Sequence, residues 1–267
     1  MKKQVKSALV WSFVLVMLAF MYVPIIILIV FSFTGARALG DWDGFTFSLY
    51  ADLFSNARIM KALANSLILA TVSGALATLF GTTAAVGIFY MRKWRKTAAH
   101  FVANITMENA EIVTGVLFMM FFLAVKLPYG WPALIIAHTI ITVPYVILSV
   151  TPKLSQLNPN LYEAGLDLGA SPVRSMFTVI IPQLVPGMIS GFVMAFALSL
   201  DDFIVSKFIN GSVVTIPIYL YTQLVKKGVD PTLRALSSVL FVAVLAVLIA
   251  LNVASAKKRK KTLAKTK

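Results

Sequence analysis

The chain of 267 residues has no cysteine, only two histidines, and charged residues at just 13% of the total. The lack of cysteine excludes disulfides, thiolate metal ligands and cysteine nucleophiles. The two histidines, His100 and His138, stand far apart in the sequence, with no paired acids at the spacing of metal ligands. We therefore expect neither a metal site nor a cofactor.

Motifs for phosphate binding and nucleophilic catalysis are absent as well. The sequence contains no GxxxxGK[ST], and its comparable glycine stretch, residues 74–82, has no lysine to contact a triphosphate. It also lacks the nucleophile elbow of serine hydrolases. We therefore expect no catalytic residue and no enzymatic activity in this chain by itself.

Apolar residues are abundant, at 59% of the chain, and they fall in long uninterrupted runs. This composition indicates a polytopic membrane protein. We predict an all-α fold in which residues 1–256 form one transmembrane domain of six helices and residues 257–267 form a basic tail. The predicted spans are about 8–33, 62–91, 101–125, 131–150, 182–207 and 235–256. Two short helices are predicted in the loop 158–182, between the fourth and fifth spans.

The basic residues predict the orientation of these spans. The net charge is +14, yet lysine and arginine cluster beside apolar runs, so we expect membrane topology signals and contact with membrane lipid rather than nucleic acid. Three precede the first span, four follow the second, two flank the loop 158–182 and seven lie in the tail, which leaves eight of the 24 elsewhere. This bias predicts a multi-pass protein of the cell (plasma or inner) membrane, with both termini and the loop 158–182 in the cytoplasm.

The loop 158–182 has clear start and stop signals for two helices. Asn158 and Pro159 favour a helix start, and Gly169 favours a helix end. Ser171 is a capping hydroxyl and Pro172 suits the first helical position of the second helix, which we expect to end before Pro182. Each helix has an apolar face that something must cover.

The same loop resembles the segment by which membrane subunits of binding-protein-dependent ABC importers dock on their ATPase subunits. The residues that match this coupling motif are Glu163, Ala164, Gly165, Gly169, Val179, Ile181 and Pro182. Gly165, Val179 and Ile181 are small or aliphatic exchanges relative to the family pattern. The resemblance implies a second, similar permease subunit, two cytoplasmic ATP-binding subunits that hydrolyse ATP, and an extracytoplasmic binding protein.

Acidic residues within the predicted spans narrow the resemblance to one group of these importers. Glu108 and Glu111 are three residues apart, which would place them on one face of the third span, and Asp201 and Asp202 lie near the far end of the fifth. The string SLDDFIVSKF and the predicted first outer loop, residues 34–61, are similar to the second permease subunit of spermidine/putrescine importers. That resemblance implies a polyamine cargo, although Ala110 and Glu111 stand where those permeases commonly have Pro-Asp.

A polyamine is also compatible with the residue types in the predicted pathway. Carboxylates can replace the water around a polycation, and the ring of Tyr145 can contact an ammonium group. The acids could instead be hydrated surface charges, and His138 and Asn104 are expected to be hydrogen-bonding groups between helices. Three alternatives stay open: an ABC importer for another small solute such as ferric ion, thiamine or an anion, a gradient-driven secondary transporter or channel, and a membrane scaffold. The acids argue mildly against an anion.

Overall fold

A computed structural model describes residues 2–36, 40–158, 160–227, 230–246 and 249. The described part is helical and contains no β-strand. The helices are α1 (Lys2–Phe31), α2 (Ser48–Ser55), α3 (Ala57–Phe89), α4 (Lys93–Glu108), α5 (Glu111–Ala124), α6 (Trp131–Gln156), α7 (Leu161–Asp167), α8 (Pro172–Ser175), α9 (Ile181–Asp201), α10 (Ile204–Ile209), α11 (Ile216–Lys227) and α12 (Thr232–Ala246). A π-helical turn, Met176–Ile180, joins α8 to α9.

Four of these helices are long and apolar enough to cross a membrane. They are Val10–Phe31 within α1, α3, α6 and the continuous helix Pro172–Asp201, and the bent pair α4 and α5 can count as a fifth. The all-helical, polytopic character predicted from the sequence is therefore confirmed. The predicted sixth span is helical as far as Ala246, and its remainder, like the predicted tail 257–267, lies outside the described residues.

The chain forms two compact units, one of residues 1–60 with 222–267 and the other of residues 61–221. In the first unit, aromatic rings gather after α1, and the ring of Phe33 stacks on that of Phe45 at 5.3 Å between centroids. The Tyr50 hydroxyl lies 2.7 Å from Ser32 Oγ. The buried Arg234 donates from Nη1 to the Ala36 carbonyl at 3.1 Å. These contacts order a segment that the sequence predicts only as an outer loop.

The second unit is built around α6, which α9 packs along and α3 crosses at close range. A Cβ added at Gly81 of α3 would lie 2.6 Å from Val146 Cβ, and one added at Gly191 of α9 would lie 3.0 Å from Val146 Cγ1. A Cβ at Gly81 would therefore clash with Val146, and one at Gly191 would make a tight contact with it. Small residues allow this approach where lipid supplies no hydrophobic force between helices.

The third predicted span, 101–125, is wrong as a single helix. The chain breaks at Asn109 and Ala110, which have extended ψ angles of 140° and 129°, and α4 and α5 meet at a bend of 102°. Glu108 and Glu111 consequently do not share a helix face. The break needs no proline because asparagine competes with the helix for hydrogen bonds, and a carboxylate at the start of α5 interacts favourably with the helix dipole.

The prediction that the second coupling helix ends before Pro182 is also wrong. The helix runs through Pro182 and has a π turn just before it, in which Ile181 N–H donates to the Met176 carbonyl, five residues back. The helix that contains the fifth predicted span begins earlier than residue 182, at Pro172, and ends at Asp201 rather than at residue 207. A separate helix, α10, follows, and α11 occupies part of the predicted outer loop.

We expect Gly81→Ala to destabilise the protein by about 1–3 kcal/mol because the new methyl group would overpack against Val146. Gly87→Ala on the same helix is the matched control, since a Cβ there meets nothing within 4 Å. The measurement is the thermal unfolding midpoint of the purified complex in detergent. Equal midpoints for the two variants would contradict the tight contact at Val146.

Candidate functional site

A cavity of about 400 Å³ opens in the second unit, between α4, α5, α6, the end of α9 and the start of α10. Four of the five predicted pathway residues line it: Glu111, Tyr145, Asp201 and Asp202. The fifth, Glu108, is exposed and is not among the lining residues. The other lining residues are Thr106, Met107, Asn109, Thr114, Ile141, Thr142, Leu198, Phe203 and Ile204.

The break between α4 and α5 determines which glutamate reaches the cavity. Because the chain turns at Asn109 and Ala110, the first residue of α5, Glu111, faces the same space as Thr106 of α4. A continuous helix would have kept the two glutamates together. The helix is therefore broken here even though Ala110 stands where the related permeases commonly have proline.

The two adjacent aspartates differ in environment. Asp201 ends α9 and is exposed, whereas the Asp202 side chain is only 7% exposed. The backbone leaves the helix at Asp202, with ψ 118°, and its Oδ2 accepts from Ser206 N–H at 2.8 Å. The Asp202 carboxyl group is thus hydrogen-bonded to the backbone of α10, whereas the exposed Asp201 carboxyl group can contact a solute.

The charge of the cavity favours cations. Glu111, Asp201 and Asp202 bring three carboxyl groups, and none of the described lining residues is lysine, arginine or histidine. A concave surface lined by one sign of charge concentrates ions of the other sign. The rings of Tyr145 and Phe203 add π faces that can contact an ammonium group.

Behind the cavity lies a buried polar network centred on His138, which the sequence predicts only as a contact between helices. His138 Nδ1 is 2.7 Å from Ser199 Oγ, and Nε2 is 2.9 Å from Ser206 Oγ and 3.4 Å from Asp202 Oδ2. Ser199 Oγ is in turn 3.0 Å from Ser73 Oγ, which donates to the Leu69 carbonyl at 2.7 Å. The side chains that His138 contacts are distant from it in the sequence, so no local sequence pattern predicts this network.

The segment that resembles the coupling motif forms a hairpin of two helices, α7 and α8. Gly169 ends α7 with φ +86°, its N–H donates to the Leu166 carbonyl, and Ala170 N–H donates to the Gly165 carbonyl. This pair of bonds is a Schellman motif. Ser171 Oγ accepts from Arg174 N–H at the start of the next helix. The end and start signals predicted at Gly169, Ser171 and Pro172 are therefore confirmed, while Pro159 lies outside the described residues.

Only part of the matched motif lies on the surface of this hairpin. Glu163, Ala164, Gly169 and Pro182 are exposed, next to the exposed apolar side chains of Leu168, Val173 and Phe177. Gly165 is buried, and a Cβ there would clash with Ser175 Oγ. Val179 and Ile181 pack against the apolar core. The motif thus combines surface residues with residues that fix the hairpin to α6 and α9.

Residues 77–257 match the protein family described as "Binding-protein-dependent transport system inner membrane component". The chain belongs to this family. It is a permease subunit of the ABC importer type, and its several apolar helices agree with a multi-pass location in the membrane.

Curated relatives cover most of the chain. It is 34% identical over 239 residues to the spermidine/putrescine transport system permease protein PotC of Haemophilus influenzae, which covers 89% of this chain and 93% of the relative. It is 33% identical over 240 residues to PotC of Escherichia coli, covering 90% of each. It is 30% identical over 244 residues to the putrescine transport system permease protein PotI of Escherichia coli, covering 88% of this chain and 86% of the relative.

Solved structures of ABC transporters share the fold. A bacterial transporter involved in the import of the acidic polysaccharide alginate matches with a TM-score of 0.70 at 16% identity, covering 97% of this chain and 96% of that one. The same type of transporter, solved with an alginate-bound periplasmic protein, gives 0.69 at 16% identity and coverage of 98% and 96%. The methionine transporter MetNI gives 0.59 at 21% identity and coverage of 74% and 96%.

Because the native chain lacks cysteine, single cysteines can report on the cavity. We expect Ile141→Cys, on the cavity wall, to react with a cationic, membrane-impermeant methanethiosulfonate in the assembled complex. Ala137→Cys is the matched control, because it lies one turn away on α6 and is completely buried. Labelling is measured as the mass of this chain. Failure of Ile141→Cys to react would mean that water does not reach the cavity.

Proposed function

We propose that this chain carries polyamines, spermidine or putrescine, through the membrane as the second permease subunit of an ATP-driven importer. The observation that carries the proposal is the cavity itself, with three carboxyl groups, two aromatic rings and, among the described lining residues, no basic side chain. The relatives named as spermidine/putrescine permeases support it, because their similarity extends over about nine-tenths of the chain.

A polyamine suits this arrangement for a physical reason. Ammonium groups lose water when they enter a membrane protein, and carboxylates on the wall offset that cost. Asp201 and Glu111 come from different helices, so they can contact separate ammonium groups of one linear cation. Tyr145 and Phe203 can cover the ammonium or methylene groups between them.

The proposed assembly follows the family. Six spans would form the 1–256 domain, with the two short helices of loop 158–182 and both termini on the cytoplasmic side. A second, similar permease subunit would complete the pathway, and two ATP-binding subunits would dock at the coupling hairpin. A polyamine-binding protein would deliver cargo from outside. The positive-inside bias and the alginate transporter solved with its periplasmic protein support this arrangement.

The helix Pro172–Asp201 supplies a mechanical connection for this function. It is 30 residues long, begins at the exposed coupling hairpin and ends at the first aspartate of the cavity. At 1.5 Å per residue it extends about 45 Å. Movement of the hairpin by the ATPases would therefore reach the cavity through one continuous element. Nucleotide shifts the two access states only through its different affinity for them.

We expect Asp201→Asn and Glu111→Gln to lower uptake efficiency (Vmax/KM) about tenfold each, because each removes a charged partner of the cation. Glu108→Gln is the matched control, since Glu108 does not line the cavity, and its effect should stay within about twofold. The measurement is radiolabelled putrescine and spermidine uptake in cells that express the whole importer, at matched amounts of assembled complex. An equal loss in all three variants would contradict the assignment of the cavity, and no polyamine uptake by the parent would contradict the cargo.

We expect Gly169→Val to reduce uptake strongly while membrane insertion is retained. A β-branched residue at φ +86° costs about 1–2 kcal/mol and would distort the turn between the coupling helices. Gly169→Asn is the control because asparagine tolerates positive φ, and nothing lies within 4 Å of the added Cβ. Copurification of the ATP-binding subunits is measured alongside uptake. Parent-level uptake and copurification with valine would show that this turn is not needed for docking.

A further inference from the structure

The buried network behind the cavity connects the helix core to one carboxyl group of the wall. Ser73, His138 and Ser206 are completely buried, and Ser199 is 4% exposed. His138 lines no part of the cavity, yet its Nε2 lies 3.4 Å from Asp202 Oδ2. The ring therefore reaches the cavity only through Asp202.

Counting protons along the network gives the direction of each bond. The Leu69 carbonyl can only accept, so it takes the single proton of Ser73. Ser73 Oγ must then accept from Ser199, which uses the single proton of Ser199. Ser199 Oγ in turn accepts from His138 Nδ1, at 2.7 Å. The two serines and the Leu69 carbonyl group thus fix a proton on Nδ1 and hold the plane of the ring.

Two groups stand at the other ring nitrogen. Ser206 Oγ lies 2.9 Å from Nε2, and Asp202 Oδ2 lies 3.4 Å from it. The same Oδ2 accepts from Ser206 N–H at 2.8 Å, so Ser206 connects the ring to the carboxyl group through its hydroxyl and its backbone. His138 and Ser206 thus fix one oxygen of Asp202 from the buried side.

We infer that His138 is a positioning residue for the cation site: it holds the carboxyl group of Asp202 in the cavity wall, by its own contact and through Ser206, without touching the cargo. This role rests on the proposed function. It assigns different tasks to the two neighbouring aspartates, since Asp201 is left to contact the cation while Asp202 is held by His138 and by Ser206 N–H.

Two amide variants separate this role from packing. Glutamine at 138 can place an N–H near the position of Nε2, whereas asparagine can place one only near that of Nδ1. We expect His138→Asn to raise the KM for putrescine about tenfold with Vmax within about twofold, since it removes the polar group that contacts Asp202 and Ser206. His138→Gln should stay within about threefold of the parent KM, because a polar group near the position of Nε2 is kept. Uptake is measured in cells that express the whole importer.

A double-mutant cycle gives the second readout. If His138 acts through Asp202, His138→Asn should add no further rise in KM to Asp202→Asn. A residue that merely packs between helices would instead lower the amount of assembled complex in both amide variants, leave KM unchanged, and add its effect to that of Asp202→Asn. Additive effects, or equal KM values for the two amides, would overturn the role.

Ser199→Ala keeps the test decisive if neither amide variant assembles. This small-to-small change removes the acceptor that fixes Nδ1. We expect it to raise the KM in the parent background and to have no effect on the KM in the Asp202→Asn background. An unchanged KM in the parent background would overturn the role. The proposed function is checked in parallel with Asp201→Asn. A parent-like KM in His138→Asn with impaired Asp201→Asn rejects only the positioning role, whereas absent polyamine uptake in the parent rejects the proposed function and this role with it.

Discussion

The close approach of three helix backbones at Val146 is the constraint on which the second unit depends. Gly81 and Gly191 bring α3 and α9 against the same residue of α6, where a Cβ would clash at Gly81 and would be tight at Gly191. In lipid there is no hydrophobic force to hold helices together, so van der Waals contact and buried hydrogen bonds must do so. This contact packs α9 along α6. The cavity opens near the end of α9, where the helices no longer fill the space between them.

The acidic residues of the cavity stand at helix ends. A helix that ends inside a membrane protein exposes backbone groups that need partners, and a carboxyl group suits the N-terminal end. Glu111 begins α5 and Asp202 accepts the Ser206 N–H of α10, whereas Asp201 ends α9, where a carboxyl group cannot serve the free carbonyl groups. The interrupted helices therefore both open the cavity and set its charge.

Local signals were sufficient for much of the fold. Gly169 and Ser171 act within a few residues of themselves, and their sequence pattern predicted the end of α7 and the start of α8 correctly. The break at Asn109 and the passage of a helix through Pro182 were not predictable in this way, since the first lacks a strong breaker and the second depends on a π turn. The partners of His138 at Ser199 and Ser206 are 61 and 68 residues away, so their contact depends on tertiary packing.

The π turn at Met176–Ile180 also changes the phase of the helix that contains it. A π turn holds one residue more than the i to i+4 repeat, which rotates the following segment by about 100° relative to an uninterrupted α-helix. Buried Ser175 consequently aligns with buried Ile180, five residues on, and from there the buried positions Leu184, Gly187 and Gly191 follow ordinary helical spacing. The inserted residue thus lets one continuous helix pack against α7 before the π turn and against α6 after it, with the buried positions shifted by one residue.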